Sequence, residues 1–333
     1  MQIILTGDDP PTAIYFERPC KEFITQPFKK NVVIIFYFYA MKRAIFIVIL
    51  FIQVTSCEKN INFNLKSEES TLAVDAQIEN NKAPIVILTK SFSFFDTISS
   101  QILAKSFVHN AIVTISNGTL THQLKEYAFP VAGGINVYLY SIDSASLATA
   151  FTGKLNTSYT LHINSEGKEY TALTTIPSLA KKIDSLWWKP APFATDTNDV
   201  ILYIKATDPP GLGNYVRYFT QKNRAAFLPG DNSVFDDQVI DGSTYQLQVD
   251  PGIDRNKKVP YDSNYFKRGD SVTIKLCNID KATYTFWSSW EFAYQSIGNP
   301  FAQPNKVIGN LNNGALGAFY GYAAFYKTLV VPQ

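Results

Sequence analysis

Short segments in which hydrophobic and polar residues alternate follow one another from residue 71 onward. In the first segment, 71–78, the apolar residues fall on one face of a β-strand: Leu72, Val74, Ala76 and Ile78. Further strand-like segments are 84–89, 111–115, 119–124, 137–140, 158–164 and 168–175. Turn sequences join two pairs of these segments, Asn117-Gly118 and Ser165-Glu166-Gly167. This succession of short strands and turns predicts an immunoglobulin-like β-sandwich over residues 71–176.

A second block of strands follows a segment that contains several prolines. Ile176-Pro177 ends the first block, and Pro190 and Pro192 come shortly after it. We therefore place a domain boundary near residue 178 and a second β-rich domain over 179–331. Its predicted strands are 200–207, 214–221, 244–249, 271–278 and 317–331.

One segment of the second block has the hydrophobic period of a helix. Its apolar face would consist of residues spaced three and four apart, namely Ala282, Phe286, Trp290, Ala293 and Ile297. Asp280 can cap the N-terminus, and Gly298 followed by Pro300 can end the helix. The sequence thus predicts a mostly β protein, in which an N-terminal immunoglobulin-like β-sandwich is followed by a second β-rich domain with one amphipathic helix over 281–297.

The N-terminal region has the layout of a bacterial lipoprotein signal peptide. Met41-Lys42-Arg43 provides a basic start, 44–52 is apolar, and Val54-Thr55-Ser56-Cys57 is similar to a lipobox. In such signals the cysteine is diacylated and becomes the first residue of the mature protein. We therefore predict a signal peptide over 41–56, lipidation of Cys57 and a flexible polar tether over 57–70. Residues 1–40 are expected to be an extension that precedes the true start at Met41.

Two alternatives to the lipoprotein signal stay open. The apolar runs 32–39 and 44–52 together are about long enough for a transmembrane helix, but Lys42 and Arg43 would lie near its centre. A charge at that depth costs about 2.5–3.5 kcal/mol on insertion scales. The other alternative is an ordinary cleaved signal peptide without a lipid.

The charge balance and the cysteines narrow the classes of protein further. The chain has 30 Lys and Arg residues against 28 Asp and Glu, and a net charge of +2 gives no basic surface for nucleic acid. Of its three cysteines, Cys20 precedes the mature chain, Cys57 carries the predicted lipid and Cys277 lies in a predicted strand. No intramolecular disulfide is therefore expected in the mature protein.

Recognisable catalytic and metal-binding motifs are absent from the sequence. His109, His122 and His162 lack ligand spacing, so no metal site, no cofactor and no catalytic residue are predicted. The segment 231–241 is rich in aspartates, with Asp231, Asp236, Asp237 and Asp241. Such a segment is typical of a solvated loop. Two alternatives are calcium binding and the paired carboxylates of a glycan hydrolase.

Tryptophans are the best candidates for a binding surface. Trp187 and Trp188 are adjacent in an extended segment, so their side chains should point to opposite faces. If one packs inside, the other is a candidate for exposure at an interface or a sugar-binding surface. Trp287 lies off the predicted apolar stripe of the helix and is a second candidate. The alternative is that Trp187 and Trp188 both fill the groove between the two domains.

Several short motifs of the second block together point to a known family. They are Asp208-Pro-Pro-Gly211, Asn214-Tyr-Val-Arg217, Phe235-Asp-Asp237, Asp241-Gly242, Gly269-Asp-Ser-Val272, Tyr284 to Trp287, Asn299-Pro-Phe-Ala302, Asn310 and Gly314-Ala-Leu-Gly-Ala-Phe319. Their order and spacing resemble the domain-of-unknown-function family four-two-four-nine, outer-membrane lipoproteins of Bacteroidota. The first block is similar to the immunoglobulin-like front end of that family, so the resemblance covers residues 57–331.

The resemblance implies a role and a location. Genes of this family often lie beside those of TonB-dependent receptors. The expected function is therefore that of a non-catalytic accessory or substrate-binding partner of a TonB-dependent outer-membrane receptor. The protein would be anchored in the lipid bilayer of the outer membrane through Cys57, with the cell surface favoured as its location. The alternative function is that of a surface glycan hydrolase that uses paired carboxylates.

Overall fold

The structure is a computed structural model that describes residues 41–43, 70–92, 99–131, 134–192, 194–256, 265–299, 301–303 and 305–333. The chain divides into two compact units, Met1–Leu65 and Lys66–Gln333. Only 41–43, which are helical, are described in the first unit. The predicted lipidation site Cys57, most of the signal peptide and tether, and the extension 1–40 lie outside the described residues.

Strands predominate in the described part of the chain, which confirms the prediction of a mostly β protein. The strands of the first block are β1 (Leu72–Glu79), β2 (Ile85–Lys90), β3 (Ile112–Ser116), β4 (Thr121–Val131), β5 (Ile135–Ile142), β6 (Thr157–Ser165) and β7 (Lys168–Ile176). Those of the second block are β8 (Ile183–Pro190), β9 (Asp199–Thr207), β10 (Tyr215–Lys222), β11 (Leu228–Phe235), β12 (Thr244–Val249), β13 (Phe266–Lys267), β14 (Ser271–Ile279) and β15 (Leu316–Val330).

The second unit also contains two α-helices, α1 (Ser100–Ser106) and α2 (Lys281–Gln295), and a short 3₁₀ turn at Leu147–Thr149. None of the described helices combines the length and the apolar character needed to cross a membrane.

Eleven of the strands form one large sheet in the order β11-β10-β14-β15-β1-β2-β5-β4-β3-β6-β7. The two blocks meet where β15 pairs in parallel with β1, so that the last strand of the chain lies beside the first. The boundary predicted near residue 178 falls between β7 and β8, within the second compact unit. The immunoglobulin-like detail and the division into two domains stay predictions.

The predicted turns and the first strand are found where the sequence placed them. Leu72, Val74, Ala76 and Ile78 are all buried on one face of β1, as the alternation predicted. Asn117-Gly118 connects β3 to β4, and Glu166-Gly167 connects β6 to β7 with positive φ at both residues. Positive φ at both central positions suits a two-residue hairpin turn that follows the twist of its strands.

The large sheet folds over a core built almost entirely from the first block. Its fully buried side chains include Ile78, Leu161 and Ile163, and β15 contributes Phe319 and Ala323. β7 approaches β15 closely enough that a Cβ at Gly321 would come within 2.7 Å of the carbonyl oxygen of Thr175. β15, the last strand of the chain, therefore contributes to the core of the first block.

The second block forms layers on both faces of β10, β14 and β15. A smaller sheet, in which β9 pairs with β8, β12 and β13, packs on one face through Ile274 and Leu276 of β14. The helix α2 packs on the other face through Cys277 and Ile279 of the same strand. Because alternate residues of a strand point to opposite faces, β14 contributes to both cores at once.

The amphipathic helix exists, but the face that it buries differs from the predicted one. Asp280 caps α2 by accepting the Thr283 amide at 2.8 Å, as predicted. Ala282, however, is exposed, and Ile297 lies beyond the end of the helix and is 76% exposed. The residues of α2 that are buried are Thr283, Phe286 and Glu291. The buried face is rotated because Glu291, which is not among the residues of the predicted apolar face, is buried with its hydrogen-bond partner Ser233.

Candidate functional site

A cleft of about 930 Å³ lies where the aromatic face of α2 extends over β1 and β2. One wall comes from α2 and another from the chain between 306 and 317. The lining side chains are mostly apolar: Ala73, Val74, Ile87, Phe286, Trp287, Trp290, Val307, Ile308, Leu311, Ala315, Leu316 and Tyr320. Asp75, Thr89 and Lys306 are the polar side chains among the described residues that line it. Its volume and apolar character are those of a site for a small organic ligand.

Aromatic rings pack edge to face along the helix side of the cleft. Trp287 contacts Phe286, Tyr320 and Trp290 with ring centroids 4.8, 5.3 and 5.8 Å apart. Trp290 in turn stacks on Tyr294, with 5.3 Å between the centroids. Edge-to-face packing of this kind fixes ring positions and presents ring faces and edges to a ligand.

Asp75 places a carboxyl group in this apolar cleft. It lies on the polar side of β1, opposite Ile87 of β2, and accepts a hydrogen bond from the Tyr320 hydroxyl across the parallel pair of strands. Burial raises the pKa of Asp75, while the Tyr320 hydrogen bond and the charge of Arg217 act in the opposite direction. The side chain remains accessible through the cleft. Asp75 is therefore an accessible carboxyl at the wall of an apolar cleft, and the net shift of its pKa is upward.

A buried network of hydrogen bonds lies behind the aromatic side chains of the cleft. The Arg217 guanidinium is 3.3 Å from the ring centre of Trp287 and donates to the Tyr322 hydroxyl at 2.8 Å and to Ser233 Oγ at 3.1 Å. Ser233 donates its amide to the Glu291 carboxylate at 3.0 Å and its hydroxyl to the same group. The positive charge of Arg217 is thus stabilised by Glu291 through Ser233 and by the π-face of Trp287. These contacts hold Trp287 from behind.

The floor of the cleft requires backbone contacts that only glycine allows. At Gly317, where φ is +89°, a Cβ would overlap the Val74 carbonyl oxygen of the neighbouring strand β1. Asn310 fixes the adjoining loop, because its side chain accepts the Phe319 amide at 2.9 Å and donates to the Phe319 carbonyl at 2.7 Å. The Ile308 amide donates to Ser289 Oγ of α2 at 3.0 Å. The loop is therefore tied to both the sheet and the helix.

A second cavity, of about 730 Å³, opens between the small and the large sheet. Its lining is largely apolar but includes three carboxylates, Asp231, Asp236 and Asp250. The Tyr284 hydroxyl donates to Asp236 at 3.2 Å, and the charge of Asp236, after burial, helps to raise the pKa of Tyr284. Two of the aspartates singled out from the sequence thus line a cavity.

Asp237 and Asp241, the other two predicted aspartates, come together with Asp208, and their carboxylate oxygens lie within 4.8 Å of one another. The Lys181 ammonium contacts Asp208 Oδ1, and both side chains are fully buried. Asp241 accepts the Gly211 amide at 2.6 Å. The cluster therefore already holds a cation of the protein's own.

Backbone amides stabilise the negative charge of Asp237 in this cluster. Asp237 Oδ2 accepts the amides of Gly213 and Asn214 at 2.8 and 2.7 Å. Burial raises the pKa of Asp237, but these amide hydrogen bonds outweigh it and the net shift is downward. Several motifs of the sequence resemblance, including Asp208 and Asp241, thus converge on one network that organises loops. No argument for calcium follows from the cluster.

The adjacent tryptophans of β8 lie on opposite faces of the small sheet. Trp188 packs on the core side against Val200 and Leu202, and the Arg268 guanidinium lies 4.7 Å from the centre of its ring. Trp187 lies on the other face and stacks on Tyr203 with 5.8 Å between ring centroids. Both are half-buried. Trp188 thus packs against a core, whereas Trp187, equally half-buried, is part of none of the core clusters among the described residues.

Trp287 does not have the exposed position that was expected for it. It is half-buried, and its indole Nε1–H finds no acceptor among the described residues. The rotation of the buried face of α2 brings it inward, against Arg217 and Tyr320. The structure therefore separates the three candidates: Trp187 and Trp188 belong to the small sheet, and Trp287 lines the cleft on the opposite face of the large sheet.

The histidines have ordinary protein partners. His122 is buried, with its ring nitrogens bonded to the Thr149 hydroxyl at 2.9 Å and the Asp143 amide at 3.1 Å. Burial lowers the pKa of His122, and the charge of Asp143 only partly opposes this. His109 is 2.5 Å from Glu126. Cys277 is fully buried, and burial raises its pKa to about 12. These groups have structural roles.

The cleft was not found from the sequence. Its key residue, Asp75, follows the rule that alternate residues of β1 are polar, so nothing in the pattern distinguishes it. Two of its walls do fall in segments of the resemblance, at Trp287 and at Gly314 to Gly317. In the sequence, the feature that could have indicated the cleft is that one of these segments, Gly314 to Gly317, is rich in glycine.

Comparison with known proteins agrees with the resemblance. No curated protein matches the chain significantly. The family model described as Domain of unknown function (DUF4249) matches residues 58–328, which include both cavities and the strands of the large sheet apart from the last two residues of β15. The chain therefore belongs to the DUF4249 family.

Proposed function

We propose that this protein is a lipid-anchored, non-catalytic binding protein that serves a TonB-dependent receptor of the outer membrane. The observation that supports binding best is the aromatic cleft, which joins a volume of about 930 Å³ to a single accessible carboxyl, Asp75. In this role the cleft receives a small ligand, and the receptor takes the ligand onward. The lipid on Cys57 keeps the protein at the membrane where the receptor lies.

The composition of the cleft supports binding rather than hydrolysis. Glycoside hydrolysis uses two carboxyl groups about 5–10 Å apart across the scissile bond. Among the described residues that line the cleft, Asp75 is the one acidic side chain. A single carboxyl can orient a ligand but does not supply both the acid and the base or nucleophile.

The alternative, a glycan hydrolase, is favoured by one observation in the second cavity. Asp231, Asp236 and Asp250 line it together with Tyr218 and Tyr245. Asp236 already accepts a hydrogen bond from Tyr284. Hydrolysis of a glycan panel by the purified protein, lost in Asp236→Asn but kept in Asp75→Asn, would establish this alternative and overturn the non-catalytic proposal.

The anchor is tested at Cys57. Mass spectrometry of the mature N-terminus should show a diacylated cysteine, and Cys57→Ser should release the protein from membranes into the soluble fraction. A mature chain that begins upstream of Cys57, or an unmodified cysteine, would contradict the lipoprotein signal.

The receptor partnership is tested by affinity purification from native membranes in mild detergent. A large β-barrel should co-purify with the protein. Trp187, half-buried and stacked on Tyr203, is the first candidate for the contact. Trp187→Ala should weaken the complex by about 2 kcal/mol, or about thirtyfold in Kd. Phe129→Ala, an exposed aromatic on β4, is the matched control. Repeated recovery of the protein without any barrel would count against the partnership.

A further inference from the structure

We propose that the cleft binds an amphipathic cation, a ligand whose apolar ring or chain packs between α2 and the 306–316 loop and whose positively charged nitrogen pairs with Asp75. This inference rests on the proposed function, because it names the class of ligand that the cleft of that function would take. Three observations carry it: the apolar lining, the position of the carboxyl and the arrangement of the rings.

The lining argues for a ligand with a substantial apolar part. Aliphatic and aromatic side chains form most of the surface, and Asp75, Thr89 and Lys306 are its polar side chains in the described part of the chain. A sugar would present hydroxyl groups around its ring, and each would need a partner when buried. The mostly apolar lining offers few such partners. An apolar body that fills the cleft gains free energy in proportion to the area it removes from water.

The carboxyl argues for a cation at one end of the ligand. Asp75 accepts a hydrogen bond from Tyr320, and no described cation forms an ion pair with it. Arg217, whose positive charge acts on Asp75, lies behind the aromatic side chains of the cleft and is bonded to Ser233, Tyr322 and the face of Trp287. Lys306 lines the cleft as well, and both it and Asp75 are exposed to solvent. Asp75, however, is hydrogen-bonded to Tyr320, one of the rings that line the cleft, so the carboxyl is the charged group placed beside the rings.

The aromatic rings of the cleft also favour a cationic ligand. Phe286, Trp290 and Tyr320 surround the cleft beside this carboxyl, and aromatic faces attract ammonium groups most strongly where water is excluded. Trp287 already contacts a guanidinium on one face, at 3.3 Å. Burial also raises the pKa of Asp75, so its charged form is disfavoured where it has no cationic partner. A ligand cation would remove that penalty and would itself be held by a charge-assisted hydrogen bond.

The test compares three probes that share one ring system and differ in charge. Naphthylmethylamine is cationic at neutral pH, naphthalenemethanol is neutral and naphthoate is anionic. Each is titrated calorimetrically into the full-length protein in a neutral detergent, with the detergent alone as the blank. We expect the amine to bind about tenfold or more tightly than the alcohol, and the acid to bind weakest.

Variants assign the preference to Asp75. Asp75→Asn keeps the shape and an acceptor for Tyr320, so the alcohol should bind as before while the advantage of the amine falls to about twofold or less. Asp231→Asn, in the second cavity, is the charge-matched control and should leave all three affinities unchanged. If Asp75→Asn does not fold, as judged by its melting transition, the comparison of the three probes in the unaltered protein still decides.

The outcomes separate this inference from the proposed function. Equal binding of the three probes, or tightest binding of naphthoate, would overturn the cationic ligand but leave the cleft as a binding site. An advantage of the amine that survives in Asp75→Asn would also overturn it. Binding of none of the probes would overturn both this inference and the assignment of the binding site to the cleft.

Discussion

Lys181→Met should destabilise this protein more than most single substitutions in loops do. Lys181 lies in the loop between β7 and β8. Lys181 is fully buried, and its ammonium contacts Asp208, which is also fully buried, and donates to the Asn214 carbonyl at 3.0 Å. Its backbone forms two hydrogen bonds with the Asn278 side chain, at 2.7 and 2.9 Å. Methionine retains the length and apolar stem of lysine, so the substitution removes the charge with little change in packing.

The expected loss of stability follows from the carboxylate of Asp208, which stays buried without its cationic partner. Removal of one partner from a buried ion pair typically costs about 3–5 kcal/mol, because the other partner stays buried and uncompensated. Here Asp208 would also remain beside Asp237 and Asp241, whose carboxylate oxygens lie within 4.8 Å. For a domain of this size, such a loss corresponds to a decrease in Tm of about 6–20 °C.

Urea unfolding followed by tryptophan fluorescence measures the effect. Lys182→Met is the matched control, because the neighbouring lysine is exposed and its substitution should change the free energy of unfolding by less than about 0.5 kcal/mol. In the double variant Lys181→Met, Asp208→Asn, the loss should shrink by at least about 1 kcal/mol, since no uncompensated charge remains at Asp208.

Two results would refute this reasoning. A loss below about 1 kcal/mol for Lys181→Met would mean that Asp208 does not depend on the ammonium, through protonation or solvent access. A loss in the double variant that equals the sum of the losses in the two single variants would mean that the two side chains stabilise the fold through separate contacts.

Three further predictions concern the sheet, the helix and the buried histidine. Gly317→Ala should cost about 2–5 kcal/mol in urea melts, because the left-handed conformation is strained and the new Cβ overlaps Val74 of β1; Gly314→Ala, with equal strain but open space, should cost less. Phe286→Ala should cost about 3–5 kcal/mol, whereas Phe292→Ala, at a residue 55% exposed on the same helix, should cost below about 1 kcal/mol. The pKa of His122 is lower when folded than when unfolded, so its contribution to stability is present above about pH 6.5 and is lost as the pH falls below that value. His122→Asn should remove the contribution of His122 to the pH dependence of the free energy of unfolding. If the slope of that free energy against pH between about pH 5 and 7 is unchanged in the variant, the prediction is contradicted.

The sequence by itself determined the local elements. Alternation identified β1 and its buried face, and the turns at Asn117-Gly118 and Glu166-Gly167 needed only the residues that tolerate positive φ. Asp280 identified the start of α2, because a capping side chain acts on amides within its own helix. These features depend on interactions between near neighbours in the chain, which is why they can be recognised without the fold.

The sequence pattern was less informative wherever a strand departs from simple alternation. β8, which carries Trp187 and Trp188, was interpreted only as extended, and β11 was not predicted. β11 contains Pro229 and Gly230, residues that weaken a strand signal. Its pairing with β10 shifts register between Arg217 and Phe219. Tertiary contacts rather than propensity stabilise these strands.

Only the tertiary structure decided the candidate site. Alternation assigns Asp75 to the polar side of β1, but the parallel pairing of β1 with β15 brings it to Tyr320 and into a cleft. The burial of Glu291 depends on Ser233, and that of Lys181 on Asp208, each from a distant part of the chain. Periodicity specifies the direction in which a side chain points relative to its own strand or helix. It does not specify what lies opposite, because strand order and register are fixed by pairing between strands that are far apart in the sequence.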